Sequence, residues 1–245
     1  METYLGELAG RLRRVLGDDL VGVYVGGSYA LGDYLHGRSD LDVAAVTDAT
    51  NALSTRQGVV AALRHESLPC PARGLEFVLY PLAAVHAPSV QPGFDLNLNT
   101  GARMEFRADY QRDPDEAHWF AIDRTILAEH GVALLGPAPH DVFAPLPRDL
   151  LLPLLVTSLR WHSRGAAGGD DAVLNACRTL RYAAEARWSP KPEAGAWALG
   201  RVGDSELVEE ALAARRGAQA LDRERVAAFL SSVVAEVERA VTGAR

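Results

Sequence analysis

The chain predicts an α/β (α+β) protein: a mixed-sheet domain over about residues 1–140, then an all-helical domain over about residues 148–245. Three observations carry this. The first half alternates short apolar, β-branched runs with segments of helical periodicity. Residues 136–147 then hold four prolines, Pro137, Pro139, Pro145 and Pro147, and read as a linker. Beyond it, every apolar segment repeats with helical spacing and no strand is evident.

Each element follows from local pattern. Leu5, Leu8, Leu12 and Val15-Leu16 recur at helical spacing and predict a first helix. The run 20–25 is apolar and stops at Gly26-Gly27, which predicts a buried strand. A second strand is expected over 41–47 and a helix over about 55–66, ended by Pro69-Cys70-Pro71. Residues 75–80 give a third strand. Residues 94–100 give a fourth, with Phe94, Leu96 and Leu98 on one face. A helix over 113–129 enters through Asp113-Pro114, and 132–135 form a short extended run. In the second half, helices are expected over 150–162, 172–188, 193–199, 205–215 and 223–241. Residues 165–169 read as a flexible loop between two of them.

Bulk properties exclude several classes. With 245 residues, 48% hydrophobic and 23% charged, the chain can bury a large core without disulfides. Cys70 and Cys177 are far apart, with no CxxC and no histidines at zinc spacing, so they read as reduced thiols. Met1-Glu2-Thr3-Tyr4 opens an amphipathic helix rather than a basic segment followed by an apolar one. The apolar run 150–156 contains Pro153 and falls far short of the ~20 residues a membrane span needs. The expectation is a cytoplasmic monomer with no membrane partner. A net charge of −7 opposes nucleic acid as a partner and is compatible with a cationic ligand.

One stretch points to chemistry. Gly26-Gly27-Ser28 follows the first strand, and Ser39-Asp40-Leu41-Asp42 opens the second. Glycines let a backbone approach a ligand closely, and the N–H groups entering the next helix can face an anion. Side chains alternate along a strand, so Asp40 and Asp42 share a face about 7 Å apart. Such a pair suits a hard cation such as Mg2+ when other ligands converge. Glu76 lies in an otherwise apolar strand, opposite in face to Leu75, Phe77 and Leu79. It can join the cluster as a metal ligand or take a proton from a hydroxyl. An anion site beside a cation site is what a nucleoside triphosphate with Mg2+ requires.

Gly27-Ser28, Asp40-Leu41-Asp42 and a later strand carboxylate resemble the polymerase-β-type nucleotidyltransferase superfamily. Gly131-Val132-Ala133-Leu134-Leu135-Gly136-Pro137, Val173-Leu174-Asn175-Ala176-Cys177-Arg178, Ser189-Pro190-Lys191 and Ala196-Trp197-Ala198 narrow this to aminoglycoside adenylyltransferases of the 3''/9 type. The resemblance spans nearly the whole chain with its motifs in order. It implies a polymerase-β-like domain and a C-terminal helical bundle. It also implies ATP as co-substrate, Mg2+ as cofactor and transfer of AMP to a hydroxyl of an antibiotic. Carried over residue by residue, Gly27 and Ser28 contact the triphosphate, and Asp40 and Asp42 hold the metal. Glu76 is the general base and a possible third metal ligand, and Arg178 and Lys191 meet the phosphates. Lys191 is the single lysine of the chain, a compact cation where arginine is otherwise used.

Family members that act on streptomycin resemble one another in a tryptophan and acidic residues near the start of the helical domain. Here that region offers Trp161 and His162 but no carboxylate before Asp170-Asp171, and a further expected tryptophan falls near Gly101. A spectinomycin-like acceptor is expected over streptomycin. Candidate acceptor residues are Asp170, Asp171, Trp161 and His118. Each also has a structural reading: Asp170 and Asp171 as caps of a helix starting at Ala172, Trp161 in a core or interface, His118 beside Trp119 in a helix. Other expectations are structural. Arg11, Arg13 and Arg14 form a solvated helix face, Glu206, Glu209 and Glu210 pair with Arg215 and Arg216 in solvent, and Cys177 is buried. Two further functional classes fit the motifs: a nucleotidyltransferase acting on a protein or other hydroxyl acceptor, and a nucleotide-binding module without catalysis.

Overall fold

The computed structural model describes residues 1–110, 117–166, 169–215, 217 and 220–243. The chain divides into two compact units, Met1–Leu146 and Pro147–Arg245.

The first unit is built on a six-stranded mixed sheet of order β5-β4-β3-β2-β1-β6. Helix α1 (Glu2–Leu16) buries Leu5, Leu8, Leu12 and Leu16 along one stripe. Strand β1 (Leu20–Val25) enters the short helix α2 (Gly27–Ala30), and β2 (Leu41–Thr47) returns antiparallel to β1. Helix α3 (Leu53–Leu63) crosses over to β3 (Leu75–Pro81), which pairs parallel to β2. After α4 (Leu82–Val85), the antiparallel strands β4 (Leu96–Gly101) and β5 (Met104–Asp109) extend the sheet on that side. Helix α5 (Ala117–His130) leads to β6 (Val132–Leu135), which closes the other edge against β1.

Both faces of the sheet are covered, which explains the near-continuous apolar runs of β1 and β2. Leu41, Val43, Ala45, Leu75, Phe77 and Leu79 point to one core, shared with α1 and α3. Tyr24, Ala44, Val46 and Tyr80 point to the other, covered by Phe120 and Leu127 of α5. The expected start of the α5 helix at residues 113–116 lies outside the described residues.

Three sequence expectations are corrected here, and one strand was not foreseen. The proline-rich stretch read as a linker contains a short helix, α6 (Pro139–Val142), with Pro139 at the first helical position. Val142 and Phe143 are buried in the second core, and the Phe143 ring meets Tyr24 edge-on at 5.1 Å. Strand β5 carried no apolar alternation, being an exposed edge strand held by its ladder to β4. Arg11 is not simply solvated, since its guanidinium donates to the carbonyls of Ala62 and Ser67 at 3.0 Å each and ties α1 to the end of α3. Arg215, expected in solvent, is 7% exposed and pairs with Asp171 at 3.4 Å, while Glu210 pairs with Arg225 at 2.8 Å.

The second unit is helical among its described residues. Helix α7 (Arg148–Trp161) continues into a π-helical turn, His162–Ala166. Then follow α8 (Gly169–Glu185), α9 (Lys191–Ala198), α10 (Ser205–Ala214) and α11 (Arg223–Gly243). The segment read as a loop over 165–169 is thus helical through Ala166 and again from Gly169. Helix α8 is central and packs on α7, α9, α10 and α11. It buries Val173, Leu174, Cys177 and Leu180. Both cysteines are buried free thiols. Among the described residues, no helix is long and apolar enough to cross a membrane.

Candidate active site

The site of the first unit forms where β1 ends and β2 and β3 begin. Strand alternation puts Asp42 and Glu76 on the face opposite Leu41 and Leu75. The two are direct register partners across the parallel β2–β3 pair, and Glu76 faces Asn99 across β3–β4. Asp40 lies two residues before Asp42 and accepts a charge-assisted hydrogen bond from Arg73. Arg73 is itself fixed by its backbone N–H on Ser39 O at 3.0 Å.

The Gly-Gly-Ser turn packs directly on Asp42. The Gly26 N–H donates to the main-chain carbonyl of Asp42 at 2.9 Å. Gly27 has φ +53°, in the left-handed region, and a Cβ there would fall inside the Asp42 carboxylate. Ser28 Oγ is shielded from solvent and has no hydrogen-bond partner among the described residues. A buried hydroxyl without a partner is costly, so the turn holds a polar group ready for a ligand.

Charge reinforces the geometry. Burial first, then the neighbouring Asp40, Asp42 and Asp123, push the Glu76 carboxyl well above the usual carboxylate range, and Arg73 opposes them. Asp123 comes from α5 and escaped the sequence reading. Its only signal was its spacing, three residues after Phe120 and four before Leu127, both buried in the second core. Arg73 likewise carried no motif.

Among the described residues, no three His, Cys, Asp or Glu side chains converge as a ready metal site, so Asp40, Asp42 and Glu76 do not close a cage by themselves. Mg2+ is normally bound by one or two carboxylates together with substrate phosphates and water. Asp40 and Asp42 beside the glycine turn fit that pattern. A cavity of about 390 Å³ lies between α1, Tyr29 and β6, against the first core; none of the expected site residues lines it.

The second unit gathers its own polar group. Arg178 donates to Asn175 Oδ1 at 2.7 Å. Lys191 Nζ donates to Asp171 Oδ1 at 3.0 Å, where Arg215 also points at 3.4 Å. Asp170 and Asp171 lie in the first turn of α8, inside the helix rather than capping one that starts at Ala172. Their carboxylates favour that end of the helix dipole. Trp161 ends α7 and meets the His162 ring edge-on at 5.2 Å. His118 sits in the first unit, 4% exposed, with its ring 4.6 Å from Trp119.

Comparison with known proteins places these features in a lineage. Residues 141–240 match the C-terminal domain of aminoglycoside adenylyltransferases, and residues 6–69 match the nucleotidyltransferase domain. The aminoglycoside (3'') (9) adenylyltransferases of Klebsiella pneumoniae and Escherichia coli are each 30% identical over 215 residues, 82% of this chain and 79% of theirs. The chain belongs to the aminoglycoside adenylyltransferase family. A relative of the same name from Rhizobium radiobacter is 38% identical over 85 residues, 34% of this chain and 32% of its own. In fold, the chain is similar to the spectinomycin adenyltransferase of Enterococcus faecialis solved with ATP and spectinomycin. The TM-score is 0.73 at 14% identity, covering 97% of this chain and 99% of the other. This family member is therefore an enzyme of the nucleotidyltransferase class, with a mixed-sheet domain and a helical one.

Proposed function

We propose that the enzyme transfers AMP from ATP to a hydroxyl of an aminoglycoside or aminocyclitol antibiotic, with Mg2+, releasing pyrophosphate. A spectinomycin-like acceptor is favoured over streptomycin. The observation that carries this reading is the pairing of Asp42 with Glu76 on adjacent parallel strands, directly under the Gly27–Ser28 turn.

Each residue then has a task. Gly27 and Ser28 contact the triphosphate, and the unpartnered Ser28 hydroxyl supports that role. Asp40 and Asp42 hold Mg2+, which when bound neutralises charge on the phosphates. Glu76 accepts the proton of the acceptor hydroxyl as that oxygen bonds to the α-phosphorus and the bond to the bridging oxygen of pyrophosphate breaks. Its raised proton affinity suits a base of this kind. Arg178 and Lys191 supply positive charge to the phosphates. The chain's contribution is mainly position and preset charge.

The acceptor preference has a packing argument. At Gly101 a Cβ would lie 2.5 Å from Gly74 Cα and 2.8 Å from Arg73 O. A tryptophan there would displace the segment whose Arg73 holds Asp40. The acceptor candidates remain Asp170, Asp171, Trp161 and His118; His118 is buried, and Asp171 pairs with Lys191 and Arg215.

Pyrophosphate release from ATP and Mg2+ tests the reading against spectinomycin, streptomycin and other aminoglycosides, with Glu76→Ala as control. Release with spectinomycin that falls by ~10²-fold or more in the variant is the expected result. Release with no acceptor on the panel would sink the antibiotic reading.

A further inference from the structure

Helix α8 carries Asp171, Asn175 and Arg178 at spacings of four and three, one row on a single face. The middle residue is the informative one. Asn175 is 6% exposed, and its amide lies between two partners: Arg178 Nη2 is 2.7 Å from Oδ1, and His162 Nε2 is 2.9 Å from Nδ2.

The roles in this chain are fixed by elimination. A guanidinium has donors only, so the amide must turn its oxygen to Arg178. The amide nitrogen then faces His162, and it too can only donate. His162 Nε2 must accept, which puts the imidazole proton on Nδ1 and leaves the ring neutral in this arrangement. His162 thereby braces the amide in the orientation that Arg178 selects. Were the amide flipped, its NH2 group would face the guanidinium and no hydrogen bond between them could form.

We propose that Asn175, braced by His162, is a positioning residue for Arg178. It holds the guanidinium in a preset direction from which it meets the nucleotide phosphates. This rests on the reading of Arg178 as a phosphate ligand. The physical gain is preorganisation: an arginine side chain has many rotamers, and holding it in place before binding reduces what the nucleotide must order. Burial strengthens the device, because an amide enclosed next to a cation is stable only when its hydrogen bonds are made. The π-helical turn supplies the other half by bringing His162, just past the end of α7, onto α8.

Calorimetric titration of the full chain with ATP and Mg2+ tests this in a double-mutant cycle. Arg178→Ala and Asn175→Leu should each weaken ATP binding by about tenfold. The double variant should bind no more weakly than Arg178→Ala alone, because the two act as one unit. Asn175→Asp, which keeps an acceptor for Arg178, should stay within about threefold of the parent. Losses that multiply in the double variant would overturn the proposal, as would an unchanged affinity for Asn175→Leu beside a weakened Arg178→Ala. Unchanged binding by Arg178→Ala would instead remove the phosphate role on which the proposal stands. Should Asn175→Leu fail to fold, His162→Leu replaces it in the cycle, with His162→Gln as the variant that keeps an acceptor.

Discussion

Asp42 and Gly27 share a space that only a missing side chain makes available. The glycine has φ +53°, and any Cβ there would intrude on the Asp42 carboxylate. Gly27→Ala therefore meets two penalties: about 1–2 kcal/mol of left-handed strain and displacement of a carboxylate that the chemistry needs in place. Gly32 separates them. It has φ +72°, yet nothing lies within 4 Å of a Cβ built on it. Gly27→Ala should lose at least as much stability as Gly32→Ala in urea unfolding, while turnover falls by ~10²-fold only in Gly27→Ala. Equal loss of turnover in the two would mean that backbone strain, not the Asp42 contact, is what matters. Glu76 makes the same point about neighbours. Its proton affinity is set by burial and three carboxylates, two of them visible in the sequence as Asp40 and Asp42. The third, Asp123, arrives on a helix from far along the chain, and no local pattern announces it.

At the scale of elements, legibility followed the strength of the local signal. Strands β1, β2 and β3 are buried apolar runs flanked by glycine or acidic turns, and their periodicity is unambiguous. Strand β5 was invisible because its sequence, Met-Glu-Phe-Arg-Ala-Asp, faces solvent along much of its length and is fixed by pairing. The 136–147 segment misled for another reason. Prolines mark linkers, but Pro139 also starts helices, and the anchoring comes from Val142, Phe143 and Leu146, buried by tertiary contact. In the helical unit, Arg178 and Lys191 were legible as cations, while Asn175 looked like any polar residue until His162 was seen beside it. Capping is legible and testable. Asp204 caps α10 by accepting from Leu207 N–H at 3.0 Å, and it also receives Arg225 at 2.9 Å. Hydrogen bonds from Arg225 first, then that backbone N–H, hold its carboxyl below the usual range. This stability is present above the unfolded pKa and is lost as pH falls through the lower folded value. Asp204→Ala should cost about 1–2 kcal/mol near neutral pH, read by urea unfolding, with a smaller difference in acid. A loss that does not shrink in acid would place the effect in packing rather than in the charged cap.

For the whole molecule, buried groups that resist losing a proton at alkaline pH lie in both units. Burial pushes the Tyr24 hydroxyl in the first unit up to about 12, with Asp141 adding to the effect. It pushes the Cys177 thiol in the second unit up to about 12 as well, against an opposing backbone hydrogen bond. Neither group helps the chemistry; each is part of a core. In the unfolded chain they release protons near pH 10 and 9, so between those values and 12 the folded state binds more protons than the unfolded one. Stability is fully present below the unfolded pKa values and declines as pH rises, by roughly 1 kcal/mol per pH unit for each group once its unfolded form is ionised. Of the four tryptophans, Trp161, Trp188 and Trp197 lie in the second unit, so fluorescence-detected urea unfolding mainly reports there. The midpoint should fall steadily from pH 9 to 10.5 in the parent chain. Cys177→Ala removes the thiol at the cost of one buried sulfur atom and should flatten that fall without abolishing it. A slope identical to the parent's would show that Cys177 ionises as freely in the fold as outside it, and that burial does not hold its proton.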